Sequence, residues 1–158
     1  MDKQLKYFLL PGAIKISRQP MEITTLLGSC ISVCLWDSKL KYGGINHFMM
    51  PFWNGIGLAS PKYGNIAIEK LVKNMINIGS EKKNLIAKVF GGAAVLNTNE
   101  CIFNIGERNI DIQSTILKDE GIEAVAASVG GTLGRKLIFN TETGSVRMKY
   151  IKKSQSHE

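Results

Sequence analysis

Residues 23–36, ITTLLGSCISVCLW, predict two β-strands separated by a Gly-Ser-Cys segment. Both halves of this stretch are rich in β-branched and apolar residues, which is typical of strands. Side chains alternate between the two faces of a strand, so the second half has one apolar face and one face of smaller side chains. The apolar face carries Ile31, Val33 and Leu35. The opposite face carries Cys30, Ser32 and Cys34.

The chain continues as strands on both sides of this stretch and then changes period. Further strands are predicted at residues 7–10, 14–17, 45–50, 85–90, 122–129, 136–140 and 145–150. Apolar side chains recur at helical spacing after Asn65, which is the predicted N-cap, and stop at Gly79. A second helix is predicted from Gly106 or Glu107 to Gly121. Strands outnumber helices, so the sequence predicts a mixed α/β domain that is not a simple doubly wound alternation.

Length and composition predict a single domain at residues 1–151, followed by a polar tail at residues 152–158. No apolar run is long enough for a membrane span or has the form of a signal peptide, so we expect a cytoplasmic protein without membrane insertion. The formal net charge of +7 favours an acidic partner, such as nucleic acid or an acidic protein surface, but also fits a solvated surface without a partner. No helix concentrates Lys and Arg at a spacing suited to base contacts, so no nucleic-acid partner is expected.

Cys30 and His47 form the pair to which the sequence assigns chemistry. The chain has two histidines, and the other one, His157, lies in the polar tail. His47 lies on the strand predicted to follow that of Cys30, and strands joined by a short connection are usually neighbours. A nearby imidazole can take the proton of a thiol, and the thiolate is the nucleophile. The backbone N–H groups of Ser29 and Cys30 are candidate donors to an oxyanion.

Two other interpretations of the cysteines stay open at this point. Free cysteines are most often small buried apolar side chains, which is also how we interpret Cys34 and Cys101. A zinc site built from the three cysteines and His47 is the other interpretation, although Cys101 is distant in the sequence. An odd number of cysteines without an export signal argues against a disulfide framework.

Several motifs occur in the order in which the CheD family of chemoreceptor glutamine deamidases has them, and the chain resembles that family. The first two motifs are LLGSCISVCL at residues 26–35 and GGINHFMMP at residues 43–51. They are followed by KY at 62–63, KVFGGA at 88–93, IGERN at 105–109, GG at 130–131 and GR at 134–135. The resemblance covers nearly the whole chain, from about Leu9 to Met148.

The resemblance implies a catalytic set of a cysteine, a histidine and a threonine. The cysteine after Gly-Ser is Cys30, and the histidine near the end of the following strand is His47. The threonine six positions before the cysteine is Thr24. This chain has two successive threonines where relatives often have Thr-Leu, so Thr25 could take the role instead. The threonine would orient the imidazole by a hydrogen bond.

For the whole protein, the resemblance implies a hydrolase that converts glutamine side chains of methyl-accepting chemoreceptors to glutamate and releases ammonia. The substrate would be the cytoplasmic region of the receptor, and no metal or organic cofactor is implied. A second implied role is binding to a CheC-type phosphatase, which could dominate over catalysis. The implied fold is a mixed β-sandwich with flanking helices, like the catalytic domain of cytotoxic necrotizing factor. We expect the chain alone to be a monomer.

Overall fold

The computed structural model describes residues 4–94 and 104–152, which form nine strands, two α-helices and one short 3-10 helix. The strands are β1 (Leu5–Phe8), β2 (Ile14–Ser17), β3 (Met21–Leu27), β4 (Ile31–Asp37), β5 (Tyr42–Asn46), β6 (Leu85–Gly91), β7 (Glu123–Val129), β8 (Gly134–Asn140) and β9 (Val146–Ile151). The helices are α1 (Gly64–Asn77) and α2 (Ile105–Glu120), and the 3-10 helix is Lys82–Asn84.

The strands pair into two mixed sheets. The first sheet has the order β1-β3-β8-β9, and the second has the order β2-β5-β4-β6-β7. The pairs β1–β3 and β6–β7 are parallel, and the other neighbours are antiparallel. The predicted mixed β-sandwich with flanking helices is therefore confirmed. The likeness to the catalytic domain of cytotoxic necrotizing factor stays a prediction.

Two apolar cores separate the layers of the fold. One core lies between the two sheets and takes buried side chains from β3 and β8 on one side and from β4, β5 and β6 on the other. The second core lies between the five-stranded sheet and the helices. The alternation predicted for β4 is confirmed, because Ile31, Val33 and Leu35 pack toward the helices whereas Cys34 packs between the sheets. The face of β4 that carries Cys34 therefore packs in the layer between the sheets.

The C-terminal ends of both helices agree with the sequence, and α2 begins at Ile105, one residue before the predicted Gly106. Helix α1 stops before Gly79, which has a φ of +122° that favours glycine, and Gly121 ends α2 in the left-handed conformation. Helix α2 is capped by the Asn104 side chain, which accepts a hydrogen bond from the Glu107 N–H. The prediction of Asn65 as the N-cap of α1 is wrong, because α1 starts at Gly64 and the Asn65 side chain instead accepts from the N–H of Trp53.

The strand predicted at residues 45–50 is wrong in its bounds, since β5 ends at Asn46. The Asn46 side chain accepts the Val33 N–H at 2.8 Å, in place of a backbone acceptor, and only Phe48 pairs again with Ile31. Neither helix in the part of the chain that the structure describes is long and apolar enough to cross a membrane. Of the predicted polar tail, residues 153–158 lie outside the described residues, and the division of the chain at residue 151 stays a prediction.

Candidate active site

Cys30 lies in the turn between β3 and β4, and the loop after β6 holds this turn in place. The Gly92 N–H donates to the Cys30 carbonyl at 2.9 Å, and the Ala93 N–H donates to the Gly28 carbonyl at 3.0 Å. Gly91 has a φ of +113°, and a β-carbon there would overlap the Cys30 carbonyl oxygen. Glycine is therefore required at the last position of β6 by the close approach of two backbones, and not only by a turn.

His47 follows β5 directly and is held by backbone hydrogen bonds on both sides of the residue. Its N–H donates to the Ala13 carbonyl at 3.2 Å, and its carbonyl accepts from the Gly12 N–H at 2.7 Å. The next residue, Phe48, exchanges two backbone hydrogen bonds with Ile31, the residue after Cys30. The segments that carry Cys30 and His47 are therefore paired with each other, as the short connection between their strands predicts.

Thr25 binds the imidazole of His47. The Thr25 Oγ1 lies 2.8 Å from His47 Nδ1 and 2.9 Å from the Leu9 carbonyl oxygen. A carbonyl can only accept, so the single hydroxyl proton of Thr25 is donated to Leu9, and Oγ1 must accept from Nδ1–H. This chain of hydrogen bonds fixes the tautomer of the ring and leaves Nε2 without a proton, which is the form that a general base needs.

Thr24, the threonine placed in the catalytic set by its distance from Cys30, is not brought to His47. Side chains alternate along β3, so Ile23, Thr25 and Leu27 are buried toward the layer between the sheets, whereas Thr24 and Leu26 face outward. The Thr24 side chain instead lines a shallow surface cavity beside β1. The structure therefore corrects Thr24 to Thr25 as the partner of the imidazole. The alternation of buried residues along this strand could have made the same distinction in the sequence.

The thiol and the imidazole both border the layer between the two sheets. Cys30 packs against the apolar core of that layer, and the ring of His47 bonds to Thr25, which points into the same layer. Burial lowers the pKa of His47 to about 4, because the charged imidazolium loses its solvation. Burial also raises the pKa of the Cys30 thiol, and the backbone N–H of Cys30 partly opposes this shift. Both shifts in pKa favour the uncharged forms of the thiol and the imidazole at neutral pH.

The side chain of Asn109 joins the two segments, and the analysis of the sequence missed it. Its Nδ2 donates to the Ser29 carbonyl at 2.9 Å and to the Met49 carbonyl at 3.1 Å. The only signal in the sequence is its place in the IGERN motif at residues 105–109. The backbone N–H groups of Ser29 and Cys30 donate to no other residue among those that the structure describes.

The alternative of a zinc site finds no ligand cluster in residues 4–94 and 104–152, where no three side chains of His, Cys, Asp or Glu converge. Cys34 is fully buried in the core between the sheets, and burial raises the pKa of its thiol, while the charge of Lys88 opposes this shift. Cys34 therefore has the environment of a core thiol, as the sequence predicts. Cys101, the third cysteine, lies outside the described residues.

Comparisons with known proteins agree with the motifs. Residues 49–150 match the family model described as CheD chemotactic sensory transduction. A Trichlorobacter lovleyi protein named "Probable chemoreceptor glutamine deamidase CheD" is 54% identical over 141 residues, which cover 89% of this chain and 88% of that protein. A Sulfurimonas denitrificans protein of the same name is 43% identical over 156 residues, which cover 98% of this chain and 99% of that protein. A Rhodospirillum rubrum protein of that name is 40% identical over 146 residues, which cover 92% of this chain and 82% of that protein. These matches confirm the resemblance, and the chain belongs to the CheD family.

Proposed function

We propose that this chain is a cysteine hydrolase that deamidates glutamine side chains of chemoreceptors to glutamate. The observation that carries the proposal is the hydrogen-bond chain from His47 through Thr25 to Leu9, which leaves Nε2 of the imidazole free to accept a proton. Cys30 borders the same layer between the sheets and supplies the nucleophile. The names of the relatives give the substrate, chemoreceptor glutamine.

The reaction has two halves, and His47 moves the proton in both. In the first half, Cys30 Sγ attacks the side-chain carbonyl carbon of glutamine, and the thiol proton passes to His47 Nε2. The oxyanion would accept hydrogen bonds from the backbone N–H groups of Ser29 and Cys30. The C–N bond then breaks, and His47 returns the proton to the departing ammonia, which leaves a thioester. In the second half, His47 takes a proton from water and the hydroxide attacks the thioester carbonyl. The C–S bond then breaks, glutamate leaves, and His47 returns the proton to sulfur, which regenerates the thiol.

Three large apolar side chains on the loop after His47 form the surface that we assign to the receptor. Phe52, Ile56 and Leu58 are 57%, 77% and 87% exposed. The base of this loop is ordered, because the Trp53 N–H donates to Asn65 Oδ1 and the Trp53 ring N–H donates to the Ile56 carbonyl. Exposed apolar side chains on an ordered loop beside a catalytic residue are typical of a contact surface. They would pack against the helix that carries the target glutamine.

The reaction needs no metal or organic cofactor, since both proton transfers use His47. We place it in the cytoplasm, where the signalling region of a chemoreceptor lies, and we expect the chain to act as a monomer. The net charge of +7 suits a receptor helix that gains glutamates as the reaction proceeds.

The test is conversion of a receptor cytoplasmic fragment, with glutamine-to-glutamate changes mapped by peptide mass spectrometry. We expect conversion by the wild-type chain and none by Cys30→Ala or His47→Ala. The control is Cys34→Ala, because Cys34 is a buried cysteine on β4, four residues after Cys30, with no role in the proposed reaction. Conversion by Cys30→Ala at the wild-type rate would refute the assignment of the nucleophile.

Binding to a CheC-type phosphatase is the second role that the family resemblance implies. Its test is a titration of such a phosphatase with wild-type chain and with Cys30→Ala. Equal affinities would place the binding surface apart from the thiol, and loss of binding by a folded Cys30→Ala variant would place it over the active site. If the phosphatase binds while the receptor fragment is never converted, the binding role replaces the catalytic one.

A further inference from the structure

Asn109 is a fully buried polar residue on α2 whose side chain reaches both segments of the active site. It is 0% exposed, and its amide donates to the carbonyl of Ser29 and to that of Met49. Ser29 directly precedes Cys30, and Met49 lies two residues after His47. The orientation of the amide is determined by these contacts, because a rotated amide would place its oxygen against two carbonyl oxygens.

The hydrogen bond to Ser29 has a consequence for the oxyanion site. The Ser29 carbonyl and the Cys30 N–H belong to the same planar peptide unit and point in opposite directions. When Asn109 draws the carbonyl toward α2, the Cys30 N–H must point away from α2. This N–H donates to no other residue among those described, and it lies close enough to its own thiol to influence the thiol's pKa.

We propose that Asn109 is a positioning residue that aims the Cys30 N–H at the oxyanion of the reaction intermediate. Its second hydrogen bond, to Met49, fixes this peptide unit relative to the segment of His47. The inference rests on the proposed deamidation, and it deepens that proposal by naming the residue that orients the oxyanion donor.

The polar balance of Asn109 argues against a purely structural role. Its Oδ1 is buried and has no hydrogen-bond partner within the described part of the chain. A buried acceptor without a donor is costly and offsets much of what the two hydrogen bonds contribute to folding. Residues with a buried polar atom that lacks a hydrogen-bond partner are found where function needs a fixed geometry.

The test compares Asn109→Leu with Gln113→Leu. Leucine has the branched shape of asparagine, although it is larger, and it donates no hydrogen bond. Gln113 is a buried amide one turn further along α2 that donates to neither segment, so its substitution controls for changes in helix packing. Three quantities are measured: kcat and KM on the receptor fragment, the rate of Cys30 alkylation by iodoacetamide as a function of pH, and the thermal unfolding curve.

We expect kcat of Asn109→Leu to fall about 10- to 100-fold while KM changes less than about threefold, since the donor acts on the transition state. Alkylation forms no oxyanion, so its limiting rate at high pH should stay within about twofold of wild type. The pKa of the Cys30 thiol should stay the same or rise, because the Cys30 N–H lowers it in the wild type. Gln113→Leu should keep all three kinetic values. Cys34 is buried and lies four residues after Cys30, so one peptide carries both cysteines. Fragment ions of that peptide show which of the two cysteines is alkylated.

Other outcomes overturn the proposal in distinguishable ways. An unchanged kcat shows that Asn109 does not orient the donor. Faster alkylation of Cys30, with the thiol pKa moved toward its ordinary value, shows that the turn has merely loosened. If Asn109→Leu does not fold, Asn109→Ser replaces it, and if neither variant folds, Asn109 serves folding and the positioning role is rejected. A wild-type chain that converts no receptor glutamine refutes the proposed function itself, and the inference with it.

Discussion

Replacing Thr25 by valine should slow deamidation about 5- to 150-fold, because the imidazole of His47 loses the acceptor that fixes its tautomer. Valine keeps the shape of threonine, so the substitution removes little more than the hydroxyl that lies 2.8 Å from Nδ1. The ring N–H is then buried without a partner, which costs about 1–3 kcal/mol. The ring can avoid this cost by turning or by moving its proton to Nε2. In either case the arrangement that accepts the thiol proton becomes less favourable by the same free energy.

The matched control is Thr24→Val, one residue away on the same strand. Its hydroxyl faces outward and makes no hydrogen bond to His47, so kcat should stay within about twofold of wild type. The assay is initial-rate conversion of a receptor fragment, followed by mass spectrometry, at a temperature well below the unfolding transition of each variant. Equal effects of the two substitutions, or a wild-type kcat in folded Thr25→Val, would refute the role of Thr25.

Stability must be measured beside activity, because Thr25 also donates to the Leu9 carbonyl at 2.9 Å. Losing this second hydrogen bond should lower the free energy of unfolding by about 0.5–1.5 kcal/mol, and each kcal/mol corresponds to roughly 2–4 °C in the unfolding temperature of a domain of this size. The loss of activity should exceed anything that this shift explains, since the assay temperature keeps both variants folded.

Three further predictions follow from burial, backbone conformation and exposure. The pKa of His47 is about 4 in the folded chain and 6.5 in the unfolded chain. The contribution of this group to the free energy of unfolding should therefore fall by about 3 kcal/mol as the pH falls from about 6.5 to 4. Urea unfolding at several pH values should show this decrease in wild type and not in His47→Gln. Gly91→Ala should lower the free energy of unfolding by about 2–4 kcal/mol, because of the positive φ and the overlap with Cys30. Gly131→Ala, which has a positive φ but open space, should lower it by about 1 kcal/mol. Equal losses in chemical denaturation would contradict the close approach of the two backbones. Leu58→Ser should raise KM for the receptor about fivefold at unchanged kcat. Leu40→Ser, in the turn between β4 and β5, should leave KM unchanged, and equal KM values for the two variants would exclude the loop from the receptor contact.

The fold was predictable where local pattern and tertiary packing agree. The alternation along β4 placed Ile31 toward one core and Cys34 toward another, and both placements are confirmed. The end of β5 was not predictable, because the apolar run continues past Asn46 while a side-chain hydrogen bond to Val33 ends the regular pairing. The periodicity of apolar residues predicts which face of a strand a residue occupies. It does not predict that a polar side chain will replace a backbone acceptor.

The site was predictable in its chemistry and less so in its supports. Residue type and scarcity made Cys30 and His47 candidates, and the family resemblance selected them. The choice between Thr24 and Thr25 depended on the distance from the cysteine in that family, whereas the side-chain alternation of β3 brings Thr25 to the imidazole. Asn109 was out of reach for a different reason. Its partners are the carbonyls of Ser29 and Met49, and contacts between a helix side chain and distant backbone leave no periodic trace in a sequence.

The buried position of the pair bears on how the proposed reaction begins. The layer between the sheets lowers the pKa of His47 and raises that of Cys30, so a thiolate–imidazolium ion pair is unfavourable before substrate binds. The proton must then leave sulfur as the bond to the substrate carbonyl forms, when negative charge moves onto an oxygen that backbone N–H groups can meet. In the proposed reaction, Thr25 would orient the group that accepts the proton, and Asn109 would orient the N–H that meets the negative charge. The two buried residues would therefore act at opposite ends of one charge transfer, although neither belongs to the reacting pair.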